Sequence, residues 1–161
     1  MDAVPVSPHI ARLRAKVGHD LLVLPSVAVL PVDEAGRVLL VRQTDFGTFG
    51  TVGGAIDEDE SPADAACREA REETGLDVEL TGLVGAIGGP EFRMTYPNGD
   101  QVAYVSIVYM ARIIGDAMIT PDGDEVDAAQ WFAREELCAP AVSAFALSTF
   151  RAIGWIDERV V

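Results

Sequence analysis

Residues 54–76 read GAIDEDESPADAACREAREETGL, and the spacing of the charged residues in this stretch is the feature of the chain best able to do chemistry. Its constant positions are Gly54, Glu60, Arg68, Glu69, Ala70, Glu72, Glu73, Gly75 and Leu76. Ser61-Pro62-Ala63-Asp64 supplies a hydroxyl N-cap, a proline at the first helical position and a carboxylate at the third. The sequence therefore predicts a helix starting at Ser61 and ending near Thr74, where Gly75 suits a left-handed cap. On such a helix Ala63, Ala66, Cys67, Ala70 and Thr74 form a narrow stripe of small side chains suited to a sheet. Glu69, Glu72 and Glu73 gather on the other side, three and four residues apart, with carboxylates within reach of one another.

Three such carboxylates repel, and packing them together costs stability and raises at least one pKa unless a cation neutralises them. Oxygen-only ligands favour a hard divalent ion, Mg²⁺ with Mn²⁺ as a substitute. Arg68, one turn before Glu72, can offset part of the charge and hold a glutamate in a fixed rotamer. The competing reading is a solvated charged face, since Glu and Arg are good helix formers. The preceding Gly53-Gly54 and the spaced Glu60 favour the metal site, because glycines allow close backbone approach to a ligand. For Gly53 alone, a tight turn is the rival account.

The pattern resembles the signature of the Nudix hydrolases, which cleave nucleoside diphosphates linked to a further moiety, and every charged and glycine position of that signature is filled. The resemblance implies Glu69 and Glu73 as central metal ligands and Glu72 as a ligand or as the group polarising the attacking water. It also implies Glu60 as an assistant at the loop edge and the Gly54 carbonyl as a further ligand. Relatives typically carry a Trp and a Pro-Gly-Gly before the helix. Phe49 and Val52 stand there in this chain, and without the proline a looser turn is expected. A further base or ligand often comes from a later loop in such hydrolases, which singles out Glu125, with an acidic surface turn as the alternative. Phe49, Phe92 and Tyr96 are read as substrate-stacking walls, against the alternative that they are core. Residues 13–19 and the 96–100 loop resemble a bacterial branch of the family whose substrates are poorly defined.

The elements that must position these groups follow from the rest of the chain. Its 161 residues, 49% of them hydrophobic, suit one domain over 1–161 with a substantial core. A short helix is predicted at 10–17 within a lead-in over 1–20. Residues 21–24 run through Pro25 into a β-rich stretch at 26–30, which turns at 33–36 into a hairpin partner at 38–41. Residues 48–54 are read as a loop. Strands are expected at 78–87, 102–114 and, briefly, 130–132. A Gly-Gly-Pro break falls at 88–90, an acidic loop at 122–125 and a closing helix at 141–153. The expected class is α/β, a mixed sheet between helices, and the resemblance implies the α/β/α sandwich of the Nudix family.

A formal charge of −14 argues against duplex nucleic acid as a partner, because phosphate binding needs clustered Lys and Arg. It is compatible with a small phosphorylated nucleotide-type substrate if metal ions bridge the two sets of negative charge. Two cysteines, Cys67 and Cys138, make no disulfide framework, and His9 and His19 are too isolated for a zinc site, so both histidines are read as structural. No apolar run is long enough to cross a bilayer, and Asp2, Pro5 and Pro8 break the layout of a signal peptide, so a cytoplasmic location is expected. Residues 21–24 could pair across a two-fold axis in a homodimer.

The leading functional expectation is a Mg²⁺-dependent pyrophosphohydrolase acting on an NDP-sugar, ADP-ribose or a nucleoside triphosphate. A non-catalytic nucleotide sensor on the same fold would tolerate lost glutamates, and an isoprenoid diphosphate isomerase would need a catalytic Cys in a strand. The intact signature and the late position of Cys138 favour the hydrolase.

Overall fold

Two long apolar runs, β1 (Leu22–Pro31) and β6 (Gln101–Ile114), pair in parallel from Leu22 opposite Val102 to Pro31 opposite Ala111 and form the middle of a sheet. The computed structural model describes residues 6–158. The signal-peptide reading of Asp2 and Pro5, and the first residues of the 1–20 lead-in, lie outside them. The other strands are β2 (Val38–Gln43), β3 (Phe49–Ala55), β4 (Asp77–Ile87), β5 (Arg93–Thr95) and β7 (Val126–Phe132). The spatial order is β4-β6-β1-β3-β2-β7, with β5 also on β6, and every pairing except β1 with β6 is antiparallel.

Alternation along the strands sends successive side chains to opposite faces and so builds two cores. Val27, Val29, Val52 and Val126 meet Ala65, Ala66 and Ala70 of helix α2 (Pro62–Thr74) on one face. Ala28, Leu30, Leu40 and Val108 meet Ala146 and Phe150 of helix α3 (Ala144–Ala152) on the other. The result is the expected α/β/α sandwich with a mixed sheet. Helix α1 (Pro8–Val17), capped by the Ser7 hydroxyl, buries no side chain. Polar contacts tie it down: His9 and Arg12 to Glu58, Arg14 to the Gln101 carbonyl, and just beyond it His19 to Asp100.

The sheet departs from the sequence reading in two places. The hairpin expected between 26–30 and 38–41 reduces to a single bridge, Val32 with Val38, because β3 inserts between β1 and β2. The glycine-rich stretch read as a loop over 48–54 is that inserted strand, with Val52 fully buried. Glycine is a poor strand former in isolation, but here both edges of β3 are hydrogen-bonded and the absence of Cβ atoms admits α2. The closing helix begins three residues later than predicted, at a Ser143 N-cap, because Val142 makes a parallel bridge to Phe49.

Candidate active site

Helix α2 forms as its caps dictate. The Ser61 hydroxyl accepts the Asp64 N–H at 3.1 Å, Pro62 opens the first turn and Gly75 closes the helix at φ 72°. The buried face is not the predicted stripe. Ala63 is exposed, Cys67 only half-buried, and the sequestered residues are Ala65, Ala66, Glu69, Ala70, Glu73 and Thr74. Glu69 is 8% exposed and Glu73 3% exposed, while Glu72 points outward. The sequence expectation that all three carboxylates lie opposite the packed face is therefore corrected: two of them lie against the sheet.

Glycines make this burial sterically feasible. A Cβ on Gly54 would sit 2.5 Å from Glu69 Oε1, so only glycine lets that carboxylate reach the β3 backbone. Gly53 has φ 148°, and a Cβ there would collide with the Val27 carbonyl oxygen. Its N–H donates to Glu73 Oε2 at 3.0 Å, the one hydrogen bond this buried carboxylate receives among the described residues. Gly53 thus lies in extended strand, not in the tight turn that was its alternative.

Arg68 organises the remaining acids. Its Nε and Nη2 donate to the two oxygens of Glu60 at 2.7 and 2.9 Å, a bidentate pair. Its Nη1 donates to Glu69 Oε1 at 2.8 Å and Glu72 Oε2 at 3.0 Å, and Nη2 also reaches the Ala55 carbonyl at 3.1 Å. From spacing alone Arg68 offsets charge and steadies one glutamate; in the structure it holds three.

Electrostatics separates the acids into two groups. Hydrogen bonding to Arg68 holds Glu60 below its usual pKa. Burial pushes Glu69 up to about 7 despite Arg68, with Glu72 and Glu125 adding repulsion. Glu73 rises well above the carboxylate range, first through burial and then through Glu69, against the single Gly53 hydrogen bond. Glu125 also rises, through burial and then Asp122 and Glu72. These mutual repulsions place Glu125 with the α2 acids. The alternative reading as an acidic turn holds alongside: Asp122 Oδ1 accepts the N–H groups of Asp124, Glu125 and Val126 at 2.9 to 3.0 Å and so sets the loop.

Beside this cluster lies a cavity of about 400 Å³ whose border includes Gly53 and Gly54. Of the predicted aromatic walls, only Tyr96 lines it. Phe49 is core, edge-on to Phe132, and the buried Phe92 is covered by Phe145. Phe46, Tyr104 and Phe145 take the places expected of Phe49 and Phe92. One sequence signal pointed to Tyr104: it shares a strand face with Ser106, two polar groups where alternation calls for apolar ones.

Among the described residues no three His, Cys, Asp or Glu converge into a closed coordination shell. The donor chemistry nonetheless fits a hard cation: Glu69 and Glu73 are buried oxygen donors with more negative charge than Arg68 offsets, and the Gly54 backbone lies against them.

The NUDIX domain family model matches residues 23–152. The chain belongs to the Nudix family. A MutT-like protein of Streptomyces ambofaciens is 30% identical over 135 residues, 84% of this chain and 80% of that one. The NAD-capped RNA hydrolase NudC of Pseudomonas aeruginosa is 33% identical over 115 residues, 70% of this Nudix chain but only 37% of NudC. The solved MutT protein from Methanosarcina mazei Go1 superposes with TM-score 0.67 at 22% identity, covering 84% of this chain and 95% of that one, a likeness of fold. The protein is a Nudix hydrolase that acts on pyrophosphate bonds, and enzymes of this family use divalent metal ions. No helix among the described residues is long and apolar enough to cross a membrane.

Proposed function

We propose that this Nudix hydrolase cleaves the pyrophosphate bond of a small nucleoside diphosphate derivative in a Mg²⁺-dependent reaction, with the pyrophosphate at Glu69 and Glu73 and the remainder in the adjoining cavity. One observation carries the reading. Two buried carboxylates, short of positive charge, lie against the glycine backbone that also borders the cavity. Burying carboxylates that have only a shared guanidinium and one backbone N–H for partners costs stability, so their presence argues for a cationic ligand.

Glu69, Glu73, Glu72 and the Gly54 carbonyl would hold the metal. A divalent ion held there would supply positive charge against the phosphates and lower the pKa of a water. Arg68 keeps Glu69 and Glu72 oriented and remains cationic through its Glu60 pair. Glu60 thereby acts through Arg68. We assign Glu125 as the group that accepts the proton from water, because burial raises its proton affinity and its repulsion with Glu69, Glu72 and Glu73 puts it beside the cluster. The Gly53 N–H fixes Glu73.

The test is product release from ADP-ribose, an NDP-sugar and nucleoside triphosphates, with Mg²⁺ and with EDTA. Turnover should require the metal and fall by orders of magnitude in Glu73→Gln. Turnover that survives EDTA or this substitution would contradict the reading.

A further inference from the structure

We propose that Thr44 and Asp122 are positioning residues for the hydrolysis: they grip the backbone of Glu125 from two sides and so hold its carboxylate beside the acids of α2. Their role rests on Glu125 accepting the proton from water, as assigned above.

Nothing holds the Glu125 carboxylate directly. The residue is half-buried, and among the described residues its carboxylate oxygens have no hydrogen-bond partner. Asp122, Glu72 and Asp45 each act against its charge more strongly than Arg68 acts for it. A carboxylate repelled by its surroundings moves with any drift of its own backbone. Where its Cα stands therefore decides whether it meets the reacting water, and a small misplacement is costly in rate.

Both backbone polar groups of Glu125 are held from outside the residue. Its N–H donates to Asp122 Oδ1 at 3.0 Å, and the same oxygen takes the N–H groups of Asp124 and Val126 at 2.9 and 3.0 Å. Its carbonyl accepts the Thr44 N–H at 2.9 Å. The Thr44 hydroxyl lies 3.2 Å from that carbonyl and 2.7 Å from the carbonyl of Asp124, so its single proton is shared between neighbouring residues of the loop. Asp122 shapes the turn, and Thr44 ties Glu125 itself to the end of β2.

The sheet is built to bring these two residues together. Arg42 stands opposite Ala128 but Gln43 opposite Val126, so the ladder between β2 and β7 carries a bulge with Asp127 as the extra residue. The Asp127 carboxylate turns out to a bidentate pair with Arg42, at 2.7 and 3.1 Å. In a regular ladder Thr44 would face Val126, whereas the bulge brings Glu125 to it. Bulges recur beside active sites because they re-aim a side chain. Packing gives no other reason for a threonine at this place: Thr44 is exposed, lies past the end of β2 and belongs to neither core.

Steady-state kinetics of the full chain in Mg²⁺ buffer, on whichever of the diphosphate derivatives named above turns over fastest, tests both residues. Thr44→Val keeps the backbone donor and loses the hydroxyl, so kcat should fall roughly three- to tenfold, as expected for one hydrogen bond, with KM within about twofold. Thr44→Ser restores the hydroxyl and should stay within about twofold of wild type. Asp122→Ala frees three N–H groups and should lower kcat at least about tenfold, again with little change in KM. Added to Glu125→Gln, Thr44→Val should cost less than about a further twofold, because the residue it positions no longer takes the proton. Where Glu125→Gln is strongly impaired, an unchanged kcat in Thr44→Val, equal losses from Thr44→Val in the two backgrounds, or a Thr44→Ser as slow as Thr44→Val would each overturn the positioning roles alone. Full kcat in Glu125→Gln would overturn the assignment of Glu125 itself, and both positioning roles with it.

Discussion

Replacing Glu69 by glutamine should stabilise the metal-free protein while abolishing its activity, and the stability gain should depend on pH in a calculable way. Burial raises the pKa of Glu69 in the folded state from about 4.5 to about 7. The folded chain therefore binds a proton more tightly than the unfolded chain, and stability is lost as pH rises from the unfolded value through the folded one. Below about pH 4.5 both states are protonated and glutamine offers nothing. At about pH 5 the wild type is handicapped by under about 1 kcal/mol, and at about pH 8 by about 3 kcal/mol, since a tenfold change in proton affinity corresponds to about 1.4 kcal/mol. Urea unfolding in EDTA, followed by tryptophan fluorescence at several pH values, measures the gap between wild type and Glu69→Gln. It should widen by roughly 2 to 3 kcal/mol between these pH values and shrink when Mg²⁺ is added to the wild type. A gap that is constant with pH, or a wild type that is the more stable at about pH 8 without metal, would refute the claim that Glu69 is held at an electrostatic cost.

Neighbouring glycines should separate fold from chemistry. Gly53→Ala drives a Cβ into the Val27 backbone and should cost about 3 kcal/mol or more in denaturant unfolding. Gly54→Ala meets only the end of the Glu69 side chain, so stability should change by less than about 1 kcal/mol while Mg²⁺-dependent turnover falls at least about tenfold. Glu125→Gln should lower kcat by about 10² to 10⁴ with little change in KM, and should remove the ascending limb of the pH–rate profile that this carboxyl governs.

The sequence made one helix and its boundaries legible because local chemistry dictates them: Ser61, Pro62 and Gly75 cap α2 as such residues do in any context. The strands at 22–31, 77–87 and 101–114 were visible as β-rich apolar runs. What escaped depended on pairing between distant segments. Nothing within residues 48–54 says that two strands will flank them, so their glycines read as a loop when they form a strand. The same blind spot hid the face of α2. Periodicity groups Ala63 with Ala66, but only the bare backbone of Gly53 and Gly54 turns Glu69 and Glu73 inward. The cavity was least legible, since Phe46, Tyr104 and Phe145 come from three separated segments, while Phe49 and Phe92 resemble them in type and face the core.

Metal binding to the two buried carboxylates tests the central claim most directly. Manganese titration followed by the loss of free Mn²⁺ signal in electron paramagnetic resonance, with proton release recorded near pH 7, reports on these carboxylates without requiring a substrate. The wild type should bind Mn²⁺ and release protons from Glu69 and Glu73, and Glu73→Gln should bind at least about tenfold more weakly with fewer protons released. Equal affinity in the two proteins, with no protons released by either, would contradict the account.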